Sequence, residues 1–98
     1  MSGAERIAKE RERQMQVEGW TPEHDDEHTC GQLALAAMAY ATPGNNYRTN
    51  HWPPPGVWPW EKQWWKPTTD RIRNLEKAGA LIAAEIDRLA RESKTGKE

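Results

Sequence analysis

The sequence predicts an all-α fold, a small three-helix domain with a long irregular Trp/Pro-rich loop between helices 2 and 3. Three stretches have the spacing or the composition of helices, at residues 3–18, 30–41 and 68–92. Residues 51–67 hold five of the six tryptophans and five of the seven prolines, so they cannot form a regular ladder of backbone hydrogen bonds. The chain of 98 residues suits one domain, residues 1–98, at the small end of the usual range.

The first helix is predicted over residues 3–18. Ser2 can cap its N-terminus and Gly19 can end it. Opposite charges recur at i, i+4 spacing while apolar residues are few, which indicates an exposed helix that leans on the rest of the domain. In the alternative interpretation, Arg6 or Arg13 reaches into a site.

Residues 19–29 form the second distinctive stretch, GWTPEHDDEHT. The residue before Pro22 is pushed out of the α region, so a turn is predicted there, and Asp25, Asp26 or Thr29 is expected to cap the next helix. His24 and His28 are four residues apart and would share one helix face. Loop hydrogen bonding, ligand contact and a metal site all remain open for this pair.

The second helix, residues 30–41, is almost wholly apolar, and a helix that is apolar on all sides is a buried one. It should be the central core element. Its alanines allow neighbouring helices to approach closely. The single cysteine, Cys30, excludes an internal disulfide and is expected to be a small packed residue, since no His–Asp pattern marks it as a nucleophile.

The Trp/Pro-rich loop begins with three consecutive prolines, which predict extended polyproline-like chain. Residues 57–65 can contain one short helical turn. Some of the tryptophans must complete a thin core, because only 36% of the chain is apolar, and we expect Trp58 and Trp64 foremost among these. The remaining tryptophans are available for binding.

The last helix is predicted over residues 68–92, capped by Thr68, Thr69 or Asp70. Residues 93–98 are expected to fray, as are residues 1–3. Packing of its apolar stripe within the fold is the first interpretation, and the seam of a homo-oligomer is the alternative. The stripe recurs at a spacing of three to four residues and comprises Ile72, Leu75, Ala78/Gly79, Ile82, Ile86 and Leu89.

Composition argues against several classes of protein. The formal charge is −1, with 14 basic and 15 acidic residues, which does not favour nucleic-acid binding. No apolar run approaches the roughly 20 residues needed to span a bilayer, and residues 1–14 lack the apolar core of a signal peptide. We therefore expect a cytoplasmic protein with no membrane partner. Glycine-rich phosphate loops, nucleophile elbows and paired cysteine motifs are absent, so we expect no enzyme, no catalytic residue, no cofactor and no metal.

A binding site is better supported than a catalytic one: the residues describe a pocket for a nucleotide, and the loop tryptophans can equally form a peptide-binding or self-association surface. Tryptophan rings stack on bases, and arginine and lysine bind phosphate, also at the N-terminus of a helix, where backbone N–H groups are free. An acidic or amide group within residues 23–27 can accept ribose hydroxyls. We expect Trp60 and Trp65 to stack on the base, Lys66, Arg71 and Arg73 to bind phosphate, and Trp20 and His24 to line the other wall.

The motifs EGWTPEHDDEHT, WPWEKQWWKP and DRIRNLEKAGALIAAEIDRL resemble a family of small phage and prophage proteins, over residues 11–89. The chain is also weakly similar to the ryanodine-receptor-type (RyR) repeat domain, a helical domain suspected in bacteria of sensing nucleotide-derived ligands. This likeness lies in Gly19-Trp20, Asp25-Asp26, Glu61-Lys62 and Asp70-Arg71. The tyrosine-glycine that usually follows the tryptophan in that domain is missing here.

Small phage proteins of this size include sponges, which sequester the cyclic ADP-ribose or cyclic nucleotide signals of Thoeris and CBASS defence. The resemblance thus implies an anti-defence protein of the host cytoplasm, homo-oligomeric, that binds a nucleotide-derived signal without cleaving it. One alternative is a protein-interaction module that inhibits a host enzyme through the Trp/Pro loop. A second alternative is a metal-dependent nucleotide hydrolase.

Overall fold

The computed structural model describes residues 1–42 and 56–96, with side chains up to residue 93. The described residues form four α-helices and one short 3₁₀ turn and contain no strand, so the all-α prediction is confirmed. A one-turn helix, α2, adds to the three predicted ones. The elements are α1 (Gly3–Gln16), α2 (Pro22–Asp25), α3 (Gln32–Ala41), the 3₁₀ turn (Lys62–Trp64) and α4 (Arg71–Gly96). The predicted polyproline segment, residues 53–55, lies outside the described residues.

Helix α1 begins where its sequence predicts. The Ser2 hydroxyl accepts a hydrogen bond from the Glu5 N–H at 3.1 Å, and the Glu5 carboxylate accepts one from the Ser2 N–H at 2.7 Å. These reciprocal bonds form a capping box, which satisfies two N–H groups that the helix itself cannot. The helix ends two residues before the predicted boundary, and Gly19 then takes a positive φ of 79° that turns the chain.

Between α1 and α3, the chain forms a helical turn that the sequence did not predict. Proline at the first helical position fixes φ at a helical value, and the Thr21 hydroxyl accepts a hydrogen bond from the His24 N–H at 3.3 Å. The expectation that Asp25, Asp26 or Thr29 caps α3 is wrong. Helix α3 instead starts after Gly31 in the left-handed conformation, without a side-chain cap, and Cys30 just before it is exposed rather than packed.

Helix α4 is the element on which the others pack. Both α1 and α3 lie against it, while α1 and α3 make at most slight contact with each other. The core lies mainly between α3 and α4, where alanines allow close approach. Its buried apolar residues are Leu33, Ala36, Ala37, Ala39, Tyr40, Trp65, Ala78, Leu81 and Ala84.

The apolar stripe predicted for α4 does not face this core. Its five large members are 42–61% exposed, so the first interpretation, packing within the fold, is wrong for the residues described. The buried face of α4 is offset by about two-fifths of a turn and consists of smaller or polar side chains. These are Asn74, Ala78, Ala80, Leu81, Ala84 and Arg88.

The chain before α4 is held to that helix by Asn74. Its Oδ1 accepts from the Thr68 N–H at 2.9 Å and its Nδ2 donates to the Thr68 carbonyl at 3.0 Å. Asp70 caps α4, as one of the predicted candidates, by accepting from the Ile72 N–H at 2.9 Å. Helix α4 continues through Gly96 rather than ending near residue 92, since no proline or glycine interrupts residues 80–95.

Candidate ligand-binding cavity

A cavity of about 600 Å³ opens where α1 and α3 diverge over α4. This volume falls within the roughly 300–1,000 Å³ typical of small-molecule sites. Five segments of the chain contribute to its wall. The lining residues are Glu10, Arg13, Gln14 and Glu18; Trp20, His24 and His28; Tyr40; Trp58, Pro59, Trp60, Glu61, Trp64 and Lys66; and Lys77 and Leu81.

Aromatic rings form a continuous arc along one side of the cavity. The Trp20 and His24 rings are stacked, with centroids 6.1 Å apart and planes 7° apart. His24 and His28 are in edge contact at 4.9 Å, His28 and Trp60 are 5.2 Å apart, and Trp60 meets Trp58 edge-on at 5.3 Å. This arc offers flat apolar surface at several orientations to one ligand.

A buried aromatic group beneath the arc holds the loop in place. Trp65 is only 8% exposed and lies 4.8 Å from the Tyr40 ring and 4.9 Å from Trp58, centroid to centroid. The Tyr40 hydroxyl accepts a hydrogen bond from the Lys66 N–H at 3.1 Å. Burial raises the pKa of Tyr40, which keeps its hydroxyl protonated at neutral pH. The cavity wall is therefore tied directly to the core.

Two lysines in the cavity wall carry positive charges that no carboxylate of the described residues neutralises. The Lys77 ammonium donates to the Lys66 carbonyl at 2.8 Å and lies 5.5 Å from the Tyr40 ring centroid. The Lys66 ammonium lies 5.8 Å from the Trp64 centroid. Among the described residues, neither lysine forms an ion pair with a carboxylate. Burial lowers the pKa of Lys77, and an anion beside it would offset that cost.

The α1 wall of the cavity is braced by a charge network. Glu10 accepts from the Arg13 Nε at 2.9 Å and from the Arg73 Nη1 at 2.7 Å, and Arg13 also pairs with Glu18 at 3.1 Å. Burial by itself raises the pKa of Glu10, but the hydrogen bonds from Arg13 and Arg73 outweigh it and hold the pKa below its usual value. Arg13 is thus neutralised by two carboxylates, which leaves anion binding to the lysines.

The structure brings together part of the predicted site. Trp20, His24, Trp60 and Lys66 line the cavity. Trp65 lies in the core below it, where neighbouring rings cover its faces. Arg71 and Arg73 do not line it: Arg71 donates to the Ala41 carbonyl at 3.2 Å, and Arg73 is drawn to Glu10 because α1 crosses α4 at that point.

The N-terminus of α4, predicted to help bind phosphate, already has an anion of its own. The Asp70 carboxylate occupies the position that a bound anion would take there, and it satisfies one of the free N–H groups. Carboxylates within residues 23–27, expected to accept ribose hydroxyls, do not line the cavity either. The carboxylates that do line it are those of Glu10, Glu18 and Glu61, and the Gln14 side chain lines it as well.

His24 and His28 contact each other, as their spacing suggests, and both line the cavity. His24 Nδ1 lies 3.2 Å from the Asp25 carboxylate, which fixes its ring. Burial, with a smaller contribution from His24, lowers the pKa of His28 and favours its neutral form. In the part of the chain that the structure describes, no three His, Cys, Asp or Glu side chains come together as metal ligands.

Sequence reasoning did not assign Trp58 or Lys77 to the site. Trp58 was expected in the core, and it does pack against the core while its other side faces the cavity. The prediction that Trp64 is a core residue is wrong, because it is 56% exposed at the rim. Lys77 shares a helix face with Leu81, four residues on, so the correct buried face of α4 would have identified it.

Comparison of the chain with protein-family models, with curated proteins and with solved structures finds no match. Among the described residues, none of the helices is long and apolar enough to cross a membrane. The cavity itself is therefore the feature of this protein from which a function can be proposed.

Proposed function

We propose that this protein binds a nucleotide-type small molecule in the aromatic cavity and holds it without cleaving it. The observation that carries the proposal is the combination, in one cavity of about 600 Å³, of a continuous aromatic arc with two lysines that have no carboxylate partner among the described residues. A planar base matches the first feature and a phosphate matches the second.

Each part of such a ligand has a counterpart in the wall. Stacking of a base on a tryptophan contributes roughly 1–3 kcal/mol, and Trp20 and Trp60 present rings at separate places along the arc. Charge-assisted hydrogen bonds from Lys66 and Lys77 would hold a phosphate. Glu61, at the rim, is placed to accept ribose hydroxyls.

The resemblance to phage proteins favours a signalling nucleotide as the ligand, of the cyclic ADP-ribose class or a cyclic oligonucleotide. Sequestration of such a signal in the host cytoplasm would suppress Thoeris or CBASS defence. A sponge requires tight binding and no chemical step, and the neutralised Glu10–Arg13–Glu18 network fits a wall that positions rather than reacts.

The test is a capture-and-release assay. The purified protein is incubated with cyclic dinucleotides, cyclic ADP-ribose isomers and nucleoside triphosphates, desalted and heat-denatured, and the released compounds are identified by chromatography. Recovery of one compound intact is the expected result. A cleaved product would instead support the metal-dependent hydrolase, and retention of nothing would contradict a nucleotide sponge.

Variants locate the site in the same assay. Trp60→Leu should weaken binding about 10- to 100-fold by removing a stacking surface, and Lys66→Ala should weaken it by removing a phosphate contact. The matched control is Lys62→Ala, because Lys62 belongs to the same segment but does not line the cavity. Equal affinity in all three variants would place the ligand elsewhere.

A second candidate function, inhibition of a host enzyme through the Trp/Pro loop, is favoured by the exposure of Trp64. A large aromatic residue with more than half its surface in solvent is typical of an interaction hot spot. If this is the function, the protein should bind a host enzyme, and Trp64→Ser should abolish that binding. Loss of capture without any effect on a partner would favour the cavity alone.

A further inference from the structure

Helix α4 carries an apolar face that no other described part of the chain covers. Five large aliphatic side chains project from it, all 42–61% exposed, and they span about 26 Å at 1.5 Å per residue. A contiguous apolar surface of this kind marks an interaction site in a monomeric protein. The five are Ile72, Leu75, Ile82, Ile86 and Leu89.

The spacing of this face specifies another helix as its partner. With Gly79 included, the positions follow one another at intervals of three, four, three, four and three residues, which is the a/d pattern of a coiled coil. Gly79 leaves no gap, because the Ile7 side chain of α1 lies over it; a Cβ built on Gly79 would fall 2.5 Å from Ile7 Cδ1. Ile7 thus completes the apolar surface at the one position where α4 lacks a side chain.

We infer that a second copy of this chain packs on this face, with the two α4 helices antiparallel. A two-fold axis between Ala80 and Leu81 places Ile72 opposite Leu89 of the second copy, and Leu75 opposite Ile86. Under the same operation, Ile82 packs against Gly79 and the Ile7 that covers it. Every large apolar residue of the face therefore meets an apolar surface, as an isologous interface requires.

Charge complementarity supports the same arrangement. Arg71 and Glu92 flank the two ends of the apolar face, and the two-fold operation brings Arg71 of each chain beside Glu92 of the other. Opposite charges beside an apolar seam add to the stability of a helix pair, and here Glu92 also pairs with Arg88 of its own chain at 3.5 Å. A parallel pair would place like residues opposite each other and bring Gly79 against Gly79.

This interface does not involve the described residues that line the ligand cavity. Lys77 and Leu81, which line the cavity, lie five residues before Ile82 and Ile86, a rotation of about 140° around the helix. The two surfaces thus lie on nearly opposite sides of α4. Dimerisation is independent of the proposed ligand, and neither result below depends on ligand binding.

The mass of the full-length protein in solution tests the dimer. Sedimentation equilibrium should give twice the chain mass of 11.3 kDa. Ile86→Glu should give the single chain mass, because it places two carboxylates in an apolar seam and raises the dissociation constant at least about 100-fold. Val17→Glu, a matched change at the 70% exposed apolar residue that directly follows α1, should leave the dimer intact. A monomeric wild-type chain at all concentrations would overturn the inference.

Cysteine cross-linking tests the orientation, in a Cys30→Ser background because Cys30 is exposed. Leu75→Cys and Ile86→Cys proteins should form a disulfide when mixed and neither should do so alone, because each residue lies about 16 Å along the axis from its own copy. Circular dichroism confirms that each variant is folded. Efficient cross-linking of Leu75→Cys with itself would indicate a parallel pair and overturn the antiparallel arrangement.

Discussion

At the scale of single residues, Asp25 anchors the cavity wall from within. Its carboxylate is 1% exposed and accepts from the Arg11 Nη2 at 2.6 Å, while the Arg11 Nη1 donates to the Trp20 carbonyl at 3.2 Å. One guanidinium therefore joins α1 to the turn that carries Trp20 and to the helix that carries His24. The buried ion pair of Arg11 and Asp25 therefore holds the Trp20 and His24 rings in position.

Removal of the Asp25 charge should be strongly destabilising. Asp25→Asn leaves the Arg11 guanidinium buried without a counter-charge, and we expect a loss of about 3–5 kcal/mol in the free energy of unfolding. Asp26→Asn is the control, because Asp26 pairs with Arg91 in solvent, where such a pair contributes about 0–1 kcal/mol. Urea denaturation measures both variants. Equal losses would contradict the role assigned to Asp25.

The pH dependence of the free energy of unfolding should show the contribution of the Glu10 carboxylate. Its pKa in the folded state lies below the ordinary value of 4.5, so its contribution is fully present above pH 4.5 and is lost as the pH falls through the lowered pKa. The stability difference between wild type and Glu10→Gln should accordingly hold from pH 7 to pH 4.5 and shrink as the pH falls below 4.5. Glu12→Gln, at an exposed position of α1, should show no comparable difference. A constant difference across this range would contradict the assignment.

Sequence alone could predict only some of the tryptophans that face the cavity. Composition alone shows that the loop around Trp58–Trp65 is rich in tryptophan for so small and polar a chain, which predicts that not every indole is buried in the core. Which ring is buried depends on where Tyr40 lies, and that contact crosses 25 residues of sequence. The local sequence pattern contains no information about this contact. Trp64, predicted in the core, is therefore exposed, and Trp65, predicted to stack on the base, is buried.

At the scale of elements, α4 shows why periodicity can mislead. Its cap could be predicted from the sequence, but its end was placed four residues too early and its most apolar face was taken for the buried one. In a chain with abundant alanine, the faces that pack most closely are those with small side chains, here Ala80 and Ala84. The large side chains remain for an external partner. Apolar spacing therefore predicted the helix correctly but did not predict which of its faces is buried in the fold.

A glycine on α4 tests the contact between α1 and α4. Gly79→Ala gains up to about 1 kcal/mol in helix propensity but forces the new methyl group into Ile7, and such overpacking costs about 1–3 kcal/mol. We expect net destabilisation in urea denaturation at one protein concentration. In an Ile7→Ala background the clash is gone, and the same substitution should become stabilising. A stabilising effect in both backgrounds would contradict the contact.

At the scale of the whole molecule, the cavity exists only in the folded chain. Its wall combines residues from Glu10 to Leu81, and no single helix presents more than a fraction of it. A ligand that binds only the native state should stabilise it by about 2.7 kcal/mol at 100 times its dissociation constant. For a domain of this size, the melting temperature should then rise by roughly 10 °C or more.

Differential scanning fluorimetry or calorimetry measures this shift, with the compound recovered from the capture assay as the ligand. Lys66→Glu should remove most of the shift without lowering the melting temperature of the free protein, because Lys66 is exposed. A shift that persists in this variant would indicate binding outside the cavity.

The aromatic arc also has an optical consequence. Indole rings at 4.9–5.3 Å share their electronic excitation, so the contacts of Trp58 with Trp60 and Trp65 should produce a paired, opposite-signed circular dichroism signal in the ultraviolet. A base inserted along the arc would accept energy from these rings and reduce their emission. The intensity of tryptophan fluorescence would thus measure how much of the cavity is occupied, and the binding of unlabelled ligands can be followed in this way.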